Sequence, residues 1–160
     1  MYTKILVPVD GSPTSRLGLA EAIKLAQLTG AQLRLIHAVD ILSVTLAPGV
    51  AMMPSPNLFV LLREGGKDIL NHARAEVIRA GVPADTVLSD TLVARVCDLV
   101  VGEAQRWGAD LIVIGTHGRR GVGRLVMGSD AEQILRLAPV PVLLVRGPDA
   151  EPGEARQPRT

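Results

Sequence analysis

Aromatic side chains are nearly missing from this chain: one Trp, one Tyr and one Phe make up 2% of its 160 residues, although 48% are apolar. A core without rings must be built from Val, Ile, Leu and Ala, the composition of parallel strands covered by helices. A single cysteine excludes an internal disulfide; Cys97 falls on an apolar helical face and reads as a buried thiol. Neither sign of charge is in excess, with 17 Lys and Arg against 16 Asp and Glu. A net charge of +1 excludes a global electrostatic grip on nucleic acid or on a membrane surface. No apolar run is long enough to cross a bilayer. Lys4 leads at once into strand-like sequence with no signal segment, so the expected location is the cytoplasm. No internal repeat is visible, and the length suits one domain with a real core.

What the chain does have is a concentration of glycine and arginine between residues 115 and 129. The segment before it, Asp110-Leu-Ile-Val-Ile114, reads as a buried strand. After it, Ala131, Ile134, Leu135 and Ala138 recur at helical spacing. A strand therefore runs through a Gly-rich loop into a helix N-terminus, where backbone N–H groups, the helix dipole and Arg119, Arg120 and Arg124 all favour phosphate. Two common phosphate templates fail. Gly123-x-x-x-x-Gly128-Ser129 has the outline of a P-loop but no Lys before the Ser, and Gly121-x-Gly123 lacks the third glycine of a dinucleotide fingerprint. The spacing present is Gly115-x2-Gly118-x9-Gly128-Ser129.

Lys4 to Val9 reads as a first strand, followed by Ser12 as N-cap and Pro13 at the first helical position. The helix carries Leu19, Ala22, Ile23 and Ala26 on one face and stops at Gly30. Asp10 thus lies at the carboxyl end of a strand, where open α/β sheets place ligands, with a helix-start role as the alternative. Leu33 to Val39 is the second strand, and His37 within it reads as a hydrogen-bonded structural residue. Residues 40–57 form an irregular loop, read either as a cover over a ligand or as disorder. Helical spacing returns from Leu58 to Ala80, weakened by Gly65-Gly66, so that the helix is expected to begin in earnest only after that pair; His72 within it faces solvent. A third strand spans Asp85 to Leu92, and a helix spans Arg95 to Trp107 before Gly108. Ser129 and Glu132 have the S-x-x-E form of a capping box, and a capping hydroxyl can still donate to a phosphate oxygen. Val140 to Val145 is the last strand, and residues 147–160 read as a disordered tail.

With Ile5-Leu-Val-Pro-Val-Asp-Gly-Ser12 near the start and Ala138-Pro-Val-Pro-Val-Leu-Leu-Val145 near the end, the glycine spacing resembles the universal stress protein family across about residues 3–146. Alternating strands and helices already imply a parallel sheet covered on both faces. The resemblance implies an open five-stranded sheet of order 3-2-1-4-5, a Rossmann-like domain over residues 1–146. It implies ATP as ligand, held by Pro8, Val9, Asp10, Ala38, Gly115, His117, Gly118, Arg119, Arg120, Gly128, Ser129 and Asp130. The backbone at Ala38 would meet the adenine, and a Mg²⁺ ion would draw on Asp10 or on phosphate oxygens. The implied role is a nucleotide-dependent stress regulator or sensor; a slow ATPase or phosphotransferase at the same site is the alternative. The family also pairs the last strand, Val142, Leu143, Leu144 and Val145, with its twin in a homodimer. His117 has no orienting carboxylate nearby in sequence, and no catalytic residue is assigned.

Overall fold

The computed structural model describes residues 1–39, 56–90, 95–116 and 128–147. They form five parallel strands, β1 (Lys4–Pro8), β2 (Gln32–Val39), β3 (Ala84–Asp90), β4 (Leu111–Gly115) and β5 (Val142–Val145), in the order β3-β2-β1-β4-β5. The helices among these residues are α1 (Pro13–Thr29), α2 (Pro56–Arg79), α3 (Val96–Trp107) and α4 (Ser129–Leu137). Most of the irregular loop, residues 91–94, the segment 117–127 and the tail after Gly147 lie outside the described residues. Among the described residues no helix is long and apolar enough to cross a membrane.

The strand sequences do not alternate apolar with polar, because both faces of the sheet are covered. Alternation survives in which core each residue enters. Ile5, Val7, Leu33, Leu35, Leu111 and Val113 pack with α1 and α2. Leu6, Ile36, Ile112 and Ile114 pack with α3 and α4. The helices change face where the order reverses, between β1 and β4, which makes that seam the switch point of the sheet.

Local signals set most of the boundaries. Ser12 caps α1 by accepting the Ser15 N–H at 3.1 Å, Pro13 opens the helix, and Gly30 closes it in the left-handed region at φ 75°. Gly108 closes α3 in the same way at φ 69°.

α2 departs from expectation: it is continuous from Pro56 through Gly65 and Gly66 to Arg79. Two glycines cost about 1 kcal/mol each in a helix interior, but Gly66 answers a packing demand. A Cβ there would lie 2.7 Å from His37 Cδ2 and 2.8 Å from Leu88 Cδ1. The missing side chain lets α2 lie close against β2 and β3, and tertiary contact overrides propensity. The last strand begins two residues later than the sequence reads, although the Pro141 carbonyl already accepts from Ile112 N–H at 3.0 Å.

Polar ties close the amino end of the sheet. The Arg34 guanidinium forks onto Asp85, reaches Glu103 at 2.9 Å and stacks 4.6 Å from the Trp107 ring centroid. Glu103 is buried but also holds Arg106, so its charge is matched. The Asp110 carboxylate accepts from the Thr3 N–H and hydroxyl, both at 2.8 Å, and from the Lys4 N–H at 3.2 Å. Burial opposes its ionisation, but those donors prevail and hold its pKa below the ordinary value. Asp110→Ala should cost about 1–3 kcal/mol at neutral pH, read by urea unfolding. Because folding lowers this pKa, the contribution is complete above the unfolded value of about 3.9. It is lost as pH falls through the lower folded value, so the two proteins should converge in strong acid.

Candidate functional site

The carboxyl ends of β1 and β4 are built to part. Backbone groups of β1 alternate between neighbours: Val9 N–H donates to Ile36 O of β2 at 2.8 Å, whereas Lys4 O accepts from Asp110 N–H on the β4 side. Pro8 therefore turns its nitrogen toward β4, where a proline has no hydrogen to give. The β1–β4 register covers Ile5↔Leu111 and Leu6↔Ile112, while β1 stays paired with β2 as far as Pro8↔Ile36. Pairing of the two central strands therefore ends short of their carboxyl ends, which is where a switch point places a ligand crevice.

Asp10 stands at its lip in a fixed turn. Its Oδ1 accepts the Ser12 N–H at 2.9 Å, and its own N–H donates to Ser15 Oγ at 3.2 Å. Gly11 between them sits at φ 80°, a conformation that side-chain-bearing residues rarely adopt. Asp10 thus serves as a helix-start residue, and its place in the chain is the carboxyl end of β1 at the switch point. Ser15 is the member of this ring that sequence reasoning missed. It is buried with Ser12, and the Ser12-x-x-Ser15 spacing was the available signal.

On the β4 side, Gly115 ends the strand against α1. A Cβ on it would lie 2.6 Å from the Thr14 carbonyl oxygen, and one on Gly18 would lie 3.1 Å from Gly115 N. Thr116 follows, donating its N–H to Val145 O at 2.9 Å and accepting the Gly128 N–H at 2.8 Å. Thr116 and Gly128, the described residues on either side of the segment 117–127, are thus hydrogen-bonded to each other. His117, Gly118, Arg119 and Arg120 belong to that segment and lie outside the described residues, as does Arg124.

At the far side of that loop the expected capping box is not formed. Gly128 is the N-cap of α4, with no side-chain cap, and Ser129 is an exposed first helical residue. The Gly128 amide is taken by Thr116 O, while the Glu132 carboxylate reaches Arg136 at 3.3 Å. Gly128 has φ −57°, so no positive φ demands glycine there. Among the described residues the first turn of this nine-residue helix has no capping side chain, and its amides suit an anion. Asp130 and Glu132 place negative charge in the same turn. No group of three or more metal-ligating side chains comes together among the described residues.

Ala38 lies near the carboxyl end of β2, in register with Ser89. Pro8, Val9, Asp10, Ala38, Gly115, Gly128 and Ser129 are therefore all carried at the carboxyl ends of β2, β1 and β4 or at the start of α4. Val142 to Val145 form the outer strand beyond β4. Cys97 is buried, its Sγ 3.2 Å from Gln133 Oε1, and burial raises its pKa. His72 is exposed on α2, with Nδ1 2.7 Å from Asp68 O.

The model of the universal stress protein family matches residues 1–146. A universal stress protein of Methanocaldococcus jannaschii is 32% identical over 154 residues, covering 94% of this chain and 86% of the relative. The crystal structure of a universal stress protein family member from Burkholderia pseudomallei superimposes with TM-score 0.71 at 34% identity, covering 90% of this chain and 96% of that one. A universal stress protein from Archaeoglobus fulgidus, solved in complex with dAMP, has TM-score 0.64 at 23% identity and covers 90% of this chain and 98% of its own.

The two described glycines of the loop signature should behave differently. Gly115→Ala drives a methyl into the Thr14 carbonyl and should cost about 1–3 kcal/mol in urea unfolding. Gly128→Ala, at an ordinary φ, should cost under about 1 kcal/mol.

Proposed function

The chain belongs to the universal stress protein family, and from that membership we propose that it is an ATP-binding regulator or sensor of stress. The observation that carries the proposal is the switch-point crevice, flanked on one side by Asp10 and on the other by a helix N-terminus without a side-chain cap. The dAMP complex of the Archaeoglobus fulgidus relative supports an adenine nucleotide as ligand. The phosphates lie on the loop from Gly115 to Ser129, with Gly118 and Gly128 allowing close backbone approach and Arg119 and Arg120 supplying charge. Ala38 offers its backbone to the base, and Pro8 and Val9 line the crevice floor. One carboxylate, Asp10, together with phosphate oxygens is a donor set that fits Mg²⁺, which takes few protein ligands. When bound, that ion would neutralise phosphate charge.

Fast chemistry is not part of this reading. Phosphoryl transfer needs an oriented attacking group as well as a cradle. Arginines that hold ATP and its transition state equally well do not accelerate the reaction. ATP should therefore be bound by the purified protein in isothermal titration. Its hydrolysis should run far below the roughly 1–100 s⁻¹ of kinases in single-turnover assays. Asp10→Asn should weaken affinity more than it changes turnover at saturating ATP. A kinase-range rate that Asp10→Asn removes without loss of affinity would make the protein an enzyme.

The same reading makes the protein a homodimer through β5. That strand is an outer one, and none of its four residues is fully buried. A bare apolar edge is an association hazard unless it is paired. Val142 and Leu144 also pack into the core beneath α3 and α4, whereas Leu143 is exposed. Leu143→Lys should therefore release monomers in sedimentation velocity at micromolar concentration with little loss of stability. A monomeric unsubstituted protein would refute the pairing.

A further inference from the structure

His37 is buried, and its ring lies between the end of β1 and Gly66 of α2. Its Nδ1 is 2.7 Å from the Val9 carbonyl oxygen. A carbonyl only accepts, so Nδ1 carries the hydrogen and donates it. This contact stands where the next rung of the sheet would fall. Even-numbered residues of β2 turn their backbone groups toward β1, as Ile36 O does in accepting the Val9 N–H at 2.8 Å. In an unbroken parallel ladder the Ala38 N–H would then donate to Val9 O. Among the described residues that backbone bond is absent, and the His37 ring holds the Val9 oxygen instead.

We propose that His37 is a positioning residue for base recognition: by occupying the Val9 carbonyl it withholds one rung between β1 and β2 and leaves the Ala38 backbone, at the carboxyl end of the sheet, open to the base. The inference rests on the nucleotide reading above. An N–H and a C=O presented by one residue match the acceptor N1 and donor N6 of adenine, whereas guanine carries a donor and an acceptor in the reverse order. Gly66 belongs to the same device, since a methyl there would push on His37 Cδ2 from 2.7 Å.

The test uses the full chain in four forms: unsubstituted, His37→Ala, His37→Asn (whose amide can replace the Nδ1 donor) and Gly66→Ala. Titration with ATP and with GTP in Mg²⁺ should show His37→Ala weakening ATP by roughly tenfold, with a smaller effect on GTP, so that discrimination shrinks. His37→Asn should restore most of both. Gly66→Ala should move in the direction of His37→Ala. Val77→Ala, a core truncation on the same sheet face, serves as a stability control and should leave the ATP to GTP ratio unchanged. Equal ratios in the unsubstituted protein and His37→Ala, or no rescue by Asn, would overturn the proposal. Amide hydrogen exchange without nucleotide provides a second measure. Ala38 should exchange more slowly in His37→Ala, where the rung can close, and at the original rate in His37→Asn. Unchanged Ala38 exchange in His37→Ala also overturns it. Failure of the unsubstituted protein to bind ATP would instead sink the nucleotide reading, leaving the exchange measurement to decide whether His37 withholds the rung.

Discussion

The approach of α1 to the end of β4 is the constraint on which the ligand end of this molecule depends. The first turn of α1 brings the Thr14 carbonyl oxygen to 2.6 Å from where a Gly115 Cβ would stand, and a Gly18 Cβ would lie 3.1 Å from the Gly115 amide nitrogen. A side chain at Gly115 would force the backbone apart, and one at Gly18 would require a shift of a few tenths of an ångström. Once α1 is pressed onto β4, the turn from Val9 to Ser15 has little freedom, because it must join a central strand to a helix lying over its neighbour. The Asp10, Ser12 and Ser15 hydrogen bonds then fix that turn. The β1–β4 pairing ends before the nitrogen of Pro8, so the carboxyl ends of the two strands stay unpaired.

That constraint gives the glycines of the loop signature different meanings. Gly115 is accounted for by packing against Thr14. Gly128 has an ordinary backbone conformation and donates its N–H to Thr116 O. A single spacing in the sequence thus joins a packing residue and a residue whose amide is bonded to Thr116, the residue after β4. An alanine is refused at one position by a backbone carbonyl, whereas at the other the main requirement is an amide hydrogen.

How far the sequence could be read follows the range of the forces involved. Ser12, Pro13, Gly30 and Gly108 set helix ends through contacts within a few residues, and such signals are visible in a single chain. The family resemblance supplied the sheet order, which local patterns alone leave open. Failures came where a distant residue decided. Ser129 and Glu132 spell a capping box, but Thr116, the residue after β4, takes the Gly128 amide, and the cap falls one residue earlier. Gly65-Gly66 spells a helix break, but His37 and Leu88 lie where the Gly66 side chain would be, so close packing explains the continuous helix. Asp10, Ala38 and the last strand were legible as positions. What the strand-end backbone does around them was not, since it depends on which rungs of the ladder are made.

The scarcity of aromatic residues ties these observations together. A core of Val, Ile, Leu and Ala is thin, and helices over such a core come near the sheet. Near approach is limited by the Cβ atoms at crossing points, which is why Gly18, Gly66 and Gly115 stand where helix and strand meet. The His37 ring enters this layer where Gly66 has no side chain to meet it. A ring in that place is not required for packing, since an aliphatic residue there would match Leu33 and Leu35 on the same face of β2. Its distinguishing property is a hydrogen-bond donor placed at the Val9 carbonyl. The energetic logic of the core therefore points away from volume and toward the backbone group that His37 holds as the reason this position is a histidine.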